Sequence, residues 1–149
     1  MVLAGCNENN PTAKTPAKSS DYEVSGSINE RIVGVTKLLF KDKNLASPIL
    51  DAQFVEEKLG DGELGPSDYR RFSMLQVAPQ DLVKWIALFE PLSEQVAYAS
   101  PTSKHNWWVE EAAFNKLEFF KPDVLAGSTN GWIGVARQTG QIYLFTFTM

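Results

Sequence analysis

The sequence predicts a single α+β domain, in which an antiparallel sheet of about four or five strands carries two or three helices packed on one face. Three observations lead to this prediction. About 130 residues follow a polar N-terminal segment, which is enough for one domain with its own core. Short runs of alternating apolar residues indicate strands, and the last two runs form a hairpin. Between the strands, capped segments carry apolar residues at helical spacing.

A helix is predicted to begin near Ser27, as the first ordered element. Ser27 and Glu30 fit a capping box, in which each side chain binds the backbone N–H of the other residue. Apolar residues then recur at helical spacing, namely Ile32, Val35, Leu38 and Leu39. The β-branched run at residues 33–36 favours a strand instead, so the prediction of a helix depends on the cap and the spacing.

Two strands are predicted on either side of a loop at residues 60–68, whose sequence GDGELGPSD consists almost wholly of turn residues. Residues 50–55 alternate apolar and polar side chains before the loop, and residues 69–77 form the strand after it. A second helix is predicted to begin at Ala78-Pro79 and to end at Pro91, because proline suits the first turn of a helix.

The segment after Pro91 is predicted to be mostly irregular. It holds a short strand at residues 96–99, a short helix at residues 107–117 and another strand at residues 117–120. A hairpin then ends the chain, with strands at residues 132–136 and 141–149 joined by a turn in which Gly140 supplies a positive φ. The last strand carries apolar side chains on both faces, which predicts a place inside the sheet.

Near the N-terminus, Leu3-Ala4-Gly5-Cys6 is an aliphatic residue followed by two small residues and the only cysteine of the chain. This string resembles the lipobox of bacterial lipoproteins. The resemblance implies that Cys6 receives diacylglycerol, that the peptide bond before it is cut and that the new N-terminus is acylated. Only Met1 and Val2 precede the string, whereas a secretory signal has an apolar region of ~7–15 residues. Either the chain begins at a misassigned or engineered start, or the string is accidental.

Residues 7–20 contain no aromatic side chain, and their only apolar side chains are two alanines. Such a composition cannot bury enough surface to offset the entropy of ordering. The segment is therefore predicted to be a solvated tether between a signal remnant at residues 1–6 and a globular domain at residues 21–149. In lipoproteins an Asp after the lipidated cysteine favours the inner membrane. Asn7 stands here, so the resemblance implies the periplasmic face of the outer membrane in the bacterial envelope.

Composition excludes several classes of function. The net charge of −4 and the pI near 5.0 argue against a nucleic-acid partner, which requires a basic stripe. A single cysteine excludes an intramolecular disulfide, a CxxC redox pair and a thiolate metal cluster. No apolar run approaches the ~20 residues that cross a bilayer. No cofactor, no resident metal and no catalytic residue are predicted.

An acidic cluster is the first candidate site. Asp51, Glu56, Glu57, Asp61 and Glu63 surround the single basic residue Lys58. Three interpretations are open: a solvated face, a surface for a partner with a basic face, or a Ca²⁺ site built on the loop. For partner binding, the hypothesis names Glu56, Glu57, Asp61 and Glu63.

Trp107 and Trp108 form the second candidate site. Neighbouring side chains alternate in an extended segment, so one indole would be exposed for a sugar or a protein partner. On a helix both would lie near one buried edge, which favours core packing. His105, the only histidine, is interpreted as a surface residue, because a catalytic role needs a nucleophile and an orienting acid nearby.

The order of strand, loop, strand, Ala-Pro-Gln-Asp-Leu helix, Trp-Trp loop and terminal hairpin resembles small uncharacterised bacterial proteins over roughly residues 50–149. Some of those are lipoproteins, and some belong to suspected toxin-immunity proteins. The sequence therefore predicts a lipid-anchored, non-enzymatic interaction domain, with an immunity or inhibitor protein as a special case. Two alternatives remain, a glycan or cell-wall binder that uses Trp107 or Trp108, and an unrecognised serine hydrolase built on His105.

Overall fold

In the described part of the chain, six antiparallel strands form one sheet, which is the framework of the domain. The computed structural model describes residues 21–41, 43–59, 68–127 and 130–148. The strands are β1 (Tyr22–Val24), β2 (Asp51–Leu59), β3 (Asp68–Gln76), β4 (Glu118–Phe120), β5 (Gly131–Ala136) and β6 (Gln141–Phe147), in the spatial order β1-β2-β3-β6-β5-β4. The predicted antiparallel α+β fold is confirmed, and the sheet has six strands rather than four or five.

The helices lie on both faces of the sheet. They are α1 (Ile28–Leu39), α2 (Leu82–Ile86), which follows a 3₁₀ turn at Pro79–Asp81, α3 (Glu111–Phe114) and α4 (Asp123–Ala126). Val35 of α1, Trp85 of α2 and Leu125 of α4 share one apolar cluster, so these three helices cover one face, called the helix face below. Phe114 of α3 belongs to a second cluster on the opposite face.

The start of α1 is determined by its cap. The backbone N–H of Glu30 donates to Ser27 Oγ at 3.2 Å, and the N–H of Ser27 donates to Glu30 Oε1 at 2.9 Å. This is the predicted capping box, and Val35 turns towards the sheet and is fully buried. The helix ends at Leu39 with Phe40 as its C-cap, and the next residue, Lys41, has a φ of +53°.

Strand β6 is buried on both sides, as predicted. Ile142 and Leu144 pack in the helix-face cluster, whereas Tyr143 and Phe145 pack in the opposite one. The opposite face is covered by α3 and by part of the segment between α2 and β4, which contributes Leu92, Val96, Tyr98, Ala99, Trp107, Trp108, Val109 and Leu117. This long segment was the part of the chain with the weakest periodicity.

Several local predictions are wrong. No strand forms at residues 96–99, where the Tyr98 hydroxyl donates to the Val109 carbonyl and holds an irregular loop on the sheet. The helix predicted at residues 107–117 is reduced to α3. The first element among the described residues is β1, not α1, and α4 was not predicted. Both missed elements are only three or four residues long, which is too short for a periodic pattern.

None of the helices in the described part of the chain is long and apolar enough to cross a bilayer. The predictions about residues 1–6, residues 7–20 and most of the loop at residues 60–68 lie outside the described residues.

Candidate binding groove on the helix face

Part of the helix face is left open between the C-terminal ends of α1 and α4. The floor of this groove consists of two rows of residues paired across neighbouring strands. In one row Phe54, Ser73 and Leu144 lie side by side on β2, β3 and β6. In the next row along the same strands, the lining residues are Glu56, Arg71 and Thr146. Side chains two positions apart on a strand point to the same face, so both rows face the groove.

The walls of the groove are largely apolar. The C-terminal part of α1 contributes Leu38, Leu39 and Phe40, α4 contributes Leu125 and Ala126, and β1 contributes Tyr22. Leu38 is 43% exposed at the mouth of the groove, and the Tyr22 ring packs edge-on against Phe54, 6.2 Å between centroids. The enclosed volume is about 580 Å³, which falls within the usual range of ligand pockets.

Positive charge surrounds the groove. Among the described residues, Lys41, Lys43 and Arg71 line it, against a single carboxylate, Glu56. Arg71 donates from Nε to Glu56. Neither lysine forms an ion pair with any carboxylate among the described residues. The described lining residues therefore carry a balance of two positive charges, in a chain whose net charge is −4.

The Ser73 hydroxyl in the floor has no hydrogen-bond partner among the described residues. Ser73 is only 1% exposed, and its neighbours in the row are Phe54 and Leu144. A buried hydroxyl without a partner costs free energy because it has lost its hydrogen bonds to water. Ser73 therefore offers a hydrogen bond to a molecule that enters the groove.

The structure separates Glu56 and Glu57, which are two of the three described members of the acidic cluster. Adjacent residues of a strand point to opposite faces, so Glu56 lines the groove and Glu57 lies on the other side of the sheet. Glu57 is 4% exposed, accepts from Arg70 at 2.6 Å and accepts from the backbone N–H of Thr102 at 2.6 Å. Asp61 and Glu63 lie outside the described residues. Glu56 and Glu57 thus form no common acidic surface.

Trp107 and Trp108 have different environments. Trp108 is buried in the opposite-face cluster, where its Nε1 donates to the Ala99 carbonyl at 2.8 Å and its ring packs edge-on against Phe72. Trp107 is half-buried, and its ring lies 5.1 Å from the ring of His105. Core packing therefore accounts for Trp108, and only Trp107 keeps an accessible indole.

A second groove of about 560 Å³ lies beside His105. Its lining is more polar and includes Lys104, Asn106, Glu110 and Glu111. No hydrogen bond joins His105 to a serine in the described part of the chain, and no group of three His, Cys, Asp or Glu side chains there could hold a metal ion.

Sequence reasoning did not find the groove on the helix face. Its charged residues come from the segment after α1, from β2 and from β3, and its apolar residues come from five different elements. The local signal in the sequence was the run Lys41-Asp42-Lys43 after an amphipathic helix. That run indicates only a solvated helix end unless the strand register is known.

Comparisons with protein-family models, with curated proteins and with solved structures find no match to this chain. The geometry of the groove and the motifs of the sequence are therefore the basis for a functional assignment.

Proposed function

We propose that this chain is a lipid-anchored, non-enzymatic protein of the bacterial envelope that binds a protein partner in the groove on the helix face. The observation that carries the proposal is the combination of an open groove with largely apolar walls, lysines that form no ion pair among the described residues, and a Ser73 hydroxyl without a hydrogen-bond partner among them. A sheet face that served only folding would be closed by apolar side chains. This one presents polar groups that have no partner among the described residues, which supports a site for another molecule.

The arrangement of the polar groups supports binding rather than catalysis. Ser73 lies in the groove, whereas His105 packs against Trp107 of the opposite-face cluster. A serine nucleophile needs a base within hydrogen-bond reach, and the sheet separates these two residues. The hydrolase alternative would therefore need a different serine.

The proposal includes a lipid anchor that is attached to Cys6. Residues 7–20 span at most about 50 Å when fully extended, and the described chain begins at Asp21, beside the groove-lining residue Tyr22. An anchored groove would therefore work close to the membrane surface. An immunity or inhibitor protein remains the special case, in which the bound partner is an enzyme or toxin that loses activity.

Site-specific photo-crosslinking in cells tests the partner site. A photo-reactive amino acid replaces Leu38 at the groove mouth, and the matched control places it at Val83, an apolar residue of α2 that is 61% exposed and does not line the groove. We expect position 38 to crosslink one envelope protein. This crosslink should disappear when Lys41→Glu and Lys43→Glu are introduced into the same chain. Equal crosslinking from position 83, or none from position 38, would contradict the proposal.

Cell fractionation tests the anchor. Cys6→Ser in the full-length native gene should move the protein from the membrane fraction to the soluble fraction, because a hydroxyl does not accept the lipid. Several acyl chains bind a membrane far more firmly than a single chain does, so the shift should be nearly complete. A Cys6→Ser protein that still sediments with membranes would rule out the anchor.

A glycan site is the second candidate function, and the half-exposed Trp107 favours it. Aromatic rings of this kind stack on sugars through their apolar faces. Peptidoglycan fragments should then quench the fluorescence of the protein, and Trp107→Phe should abolish the quenching, whereas a Trp108→Phe control should keep it. Titration without any change in fluorescence would exclude this alternative.

A further inference from the structure

We infer that the groove on the helix face binds an acidic segment of the partner, in which carboxylate side chains alternate with apolar ones. This inference rests on the proposed function and names the chemistry of the partner. It differs from the sequence-based expectation of a basic partner, because that expectation assumed a joint acidic surface of Glu56 and Glu57, which β2 places on opposite faces of the sheet.

Unsatisfied cationic groups favour an anionic ligand. Lys41 and Lys43 form no ion pair with a described carboxylate, and among the described residues Arg71 donates only from Nε to Glu56. The other N–H groups of the Arg71 guanidinium have no acceptor among those residues, and their fixed geometry suits a carboxylate ligand. Three cationic side chains around one opening attract carboxylates and reject basic segments.

The backbone of Lys41 supports a role for its side chain. Its φ of +53° is the left-handed conformation in which glycine normally follows a helix end. A side chain at this position carries a steric penalty, and such strain clusters at functional positions. The lysine lines the groove, so the strained residue is also one that supplies positive charge.

The mixed floor favours a peptide over a fatty acid. Phe54 and Leu144 accept apolar side chains, and Ser73 offers a hydroxyl group between them. In the next row, Thr146 offers a hydroxyl group and Glu56 a carboxylate. A peptide backbone supplies N–H and C=O groups to pair with these side chains. A hydrocarbon chain would cover them without any hydrogen bond, which costs free energy for each buried polar group.

Fluorescence anisotropy with three labelled hexapeptide pools tests the inference. The acidic pool alternates Asp or Glu with Leu, Val or Phe, the amide pool replaces the acids with Asn or Gln, and the basic pool replaces them with Lys or Arg. The protein is the full chain with Cys6→Ser, and dodecanoate is tested as a fourth probe. We expect the acidic pool to bind, the amide pool to bind about tenfold more weakly or worse, and the basic pool not to bind.

Charge-reversal variants locate the binding site. Lys41→Glu/Lys43→Glu should lower the affinity for the acidic pool by at least about tenfold. The control Lys104→Glu/Lys116→Glu makes the same change in net charge away from the groove, and should leave the affinity nearly unchanged. An equal loss in both variants would show only a general charge effect and would overturn the inference.

The remaining outcomes separate this inference from the proposed function. A partner crosslinked from position 38, together with failure of the acidic pool, would overturn the inference and leave the proposed function standing. Binding of the acidic pool without a crosslinked partner would support the chemistry of the groove and contradict the proposed function. Binding of dodecanoate but of no peptide pool would identify an acyl-chain site and overturn the inference.

Discussion

Glu57 and Arg70 lie directly opposite each other on β2 and β3, and their side chains form a 2.6 Å ion pair beneath the loop that covers the opposite face of the sheet. The second carboxylate oxygen of Glu57 accepts from the backbone N–H of Thr102. The guanidinium of Arg70 also lies 5.3 Å from the centre of the Phe72 ring. The pair therefore attaches the loop to the sheet.

Glu57→Gln should destabilise the domain and loosen this loop. The variant leaves the Arg70 guanidinium partly buried without its anion, and we expect a loss of about 2 kcal/mol in the free energy of unfolding, less than for a fully buried pair because Arg70 is partly exposed. Urea denaturation measures the loss, and limited proteolysis near Thr102 reports the loop. Glu56→Gln is the control, because its pair with Arg71 is more exposed and should contribute under about 1 kcal/mol. Equal losses in both variants would refute this difference.

Ser73→Ala should leave the stability of the domain unchanged or raise it by up to about 1 kcal/mol, because the hydroxyl has no hydrogen-bond partner among the described residues. Ser47→Ala is the matched control, since the buried Ser47 hydroxyl accepts from Trp85 Nε1 at 2.8 Å. Ser47→Ala should lower the free energy of unfolding by about 1–2 kcal/mol. Thermal unfolding compares the two serines, and a large loss for Ser73→Ala would show that its hydroxyl is already satisfied.

Lys41→Gly should stabilise the domain and weaken the binding of the acidic peptide pool. Glycine removes the steric penalty of the positive φ, but it also gives the unfolded chain more conformational freedom, which offsets part of the benefit. We therefore expect the free energy of unfolding to rise by about 0.5–1 kcal/mol. Lys43→Gly also removes a groove lysine but should not stabilise, because positive φ among the described non-glycine residues occurs only at Lys41. Denaturant titration and anisotropy measure the two effects. A Lys41→Gly variant that is less stable would refute the assignment of strain.

The capping box should make the stability of α1 depend on pH. Hydrogen bonds from the backbone N–H and then the hydroxyl of Ser27 hold the pKa of Glu30 below its ordinary value. Because the pKa is lower in the folded state, the contribution is complete above the ordinary carboxyl range and is lost as the pH falls from about 4 through the lowered pKa. Between pH 7 and pH 2, the free energy of unfolding should therefore decrease less in Glu30→Gln than in the wild type. Identical pH profiles would contradict the role of this pair.

Local signals in the sequence were sufficient for some elements. Ser27 and Glu30 are three residues apart, so the start of α1 could be predicted from a short string. The turn of the last hairpin was equally local, and Gly140 does adopt a positive φ of 83°. β1 and α4 were missed because three or four residues cannot show a period, and tertiary pairing and packing stabilise them.

The acidic cluster shows where sequence reasoning failed. Glu56 and Glu57 are neighbours in the chain, but the predicted strand ended at residue 55 and included neither of them. β2 continues to Leu59, so alternation along the strand sends the two carboxylates to opposite faces. Arg71 and Arg70, which lie opposite them on β3, then pair with one carboxylate each.

The sequence by itself determined the fold class, the capped first helix, the terminal hairpin and the burial of the last strand on both faces, because each depends on residues close together in the chain. Only the tertiary structure decided the groove. Lys41, Ser73 and Leu144 come together because β2, β3 and β6 pair in one register and α1 ends above them. Register and helix placement depend on packing between distant segments, and no local pattern encodes them.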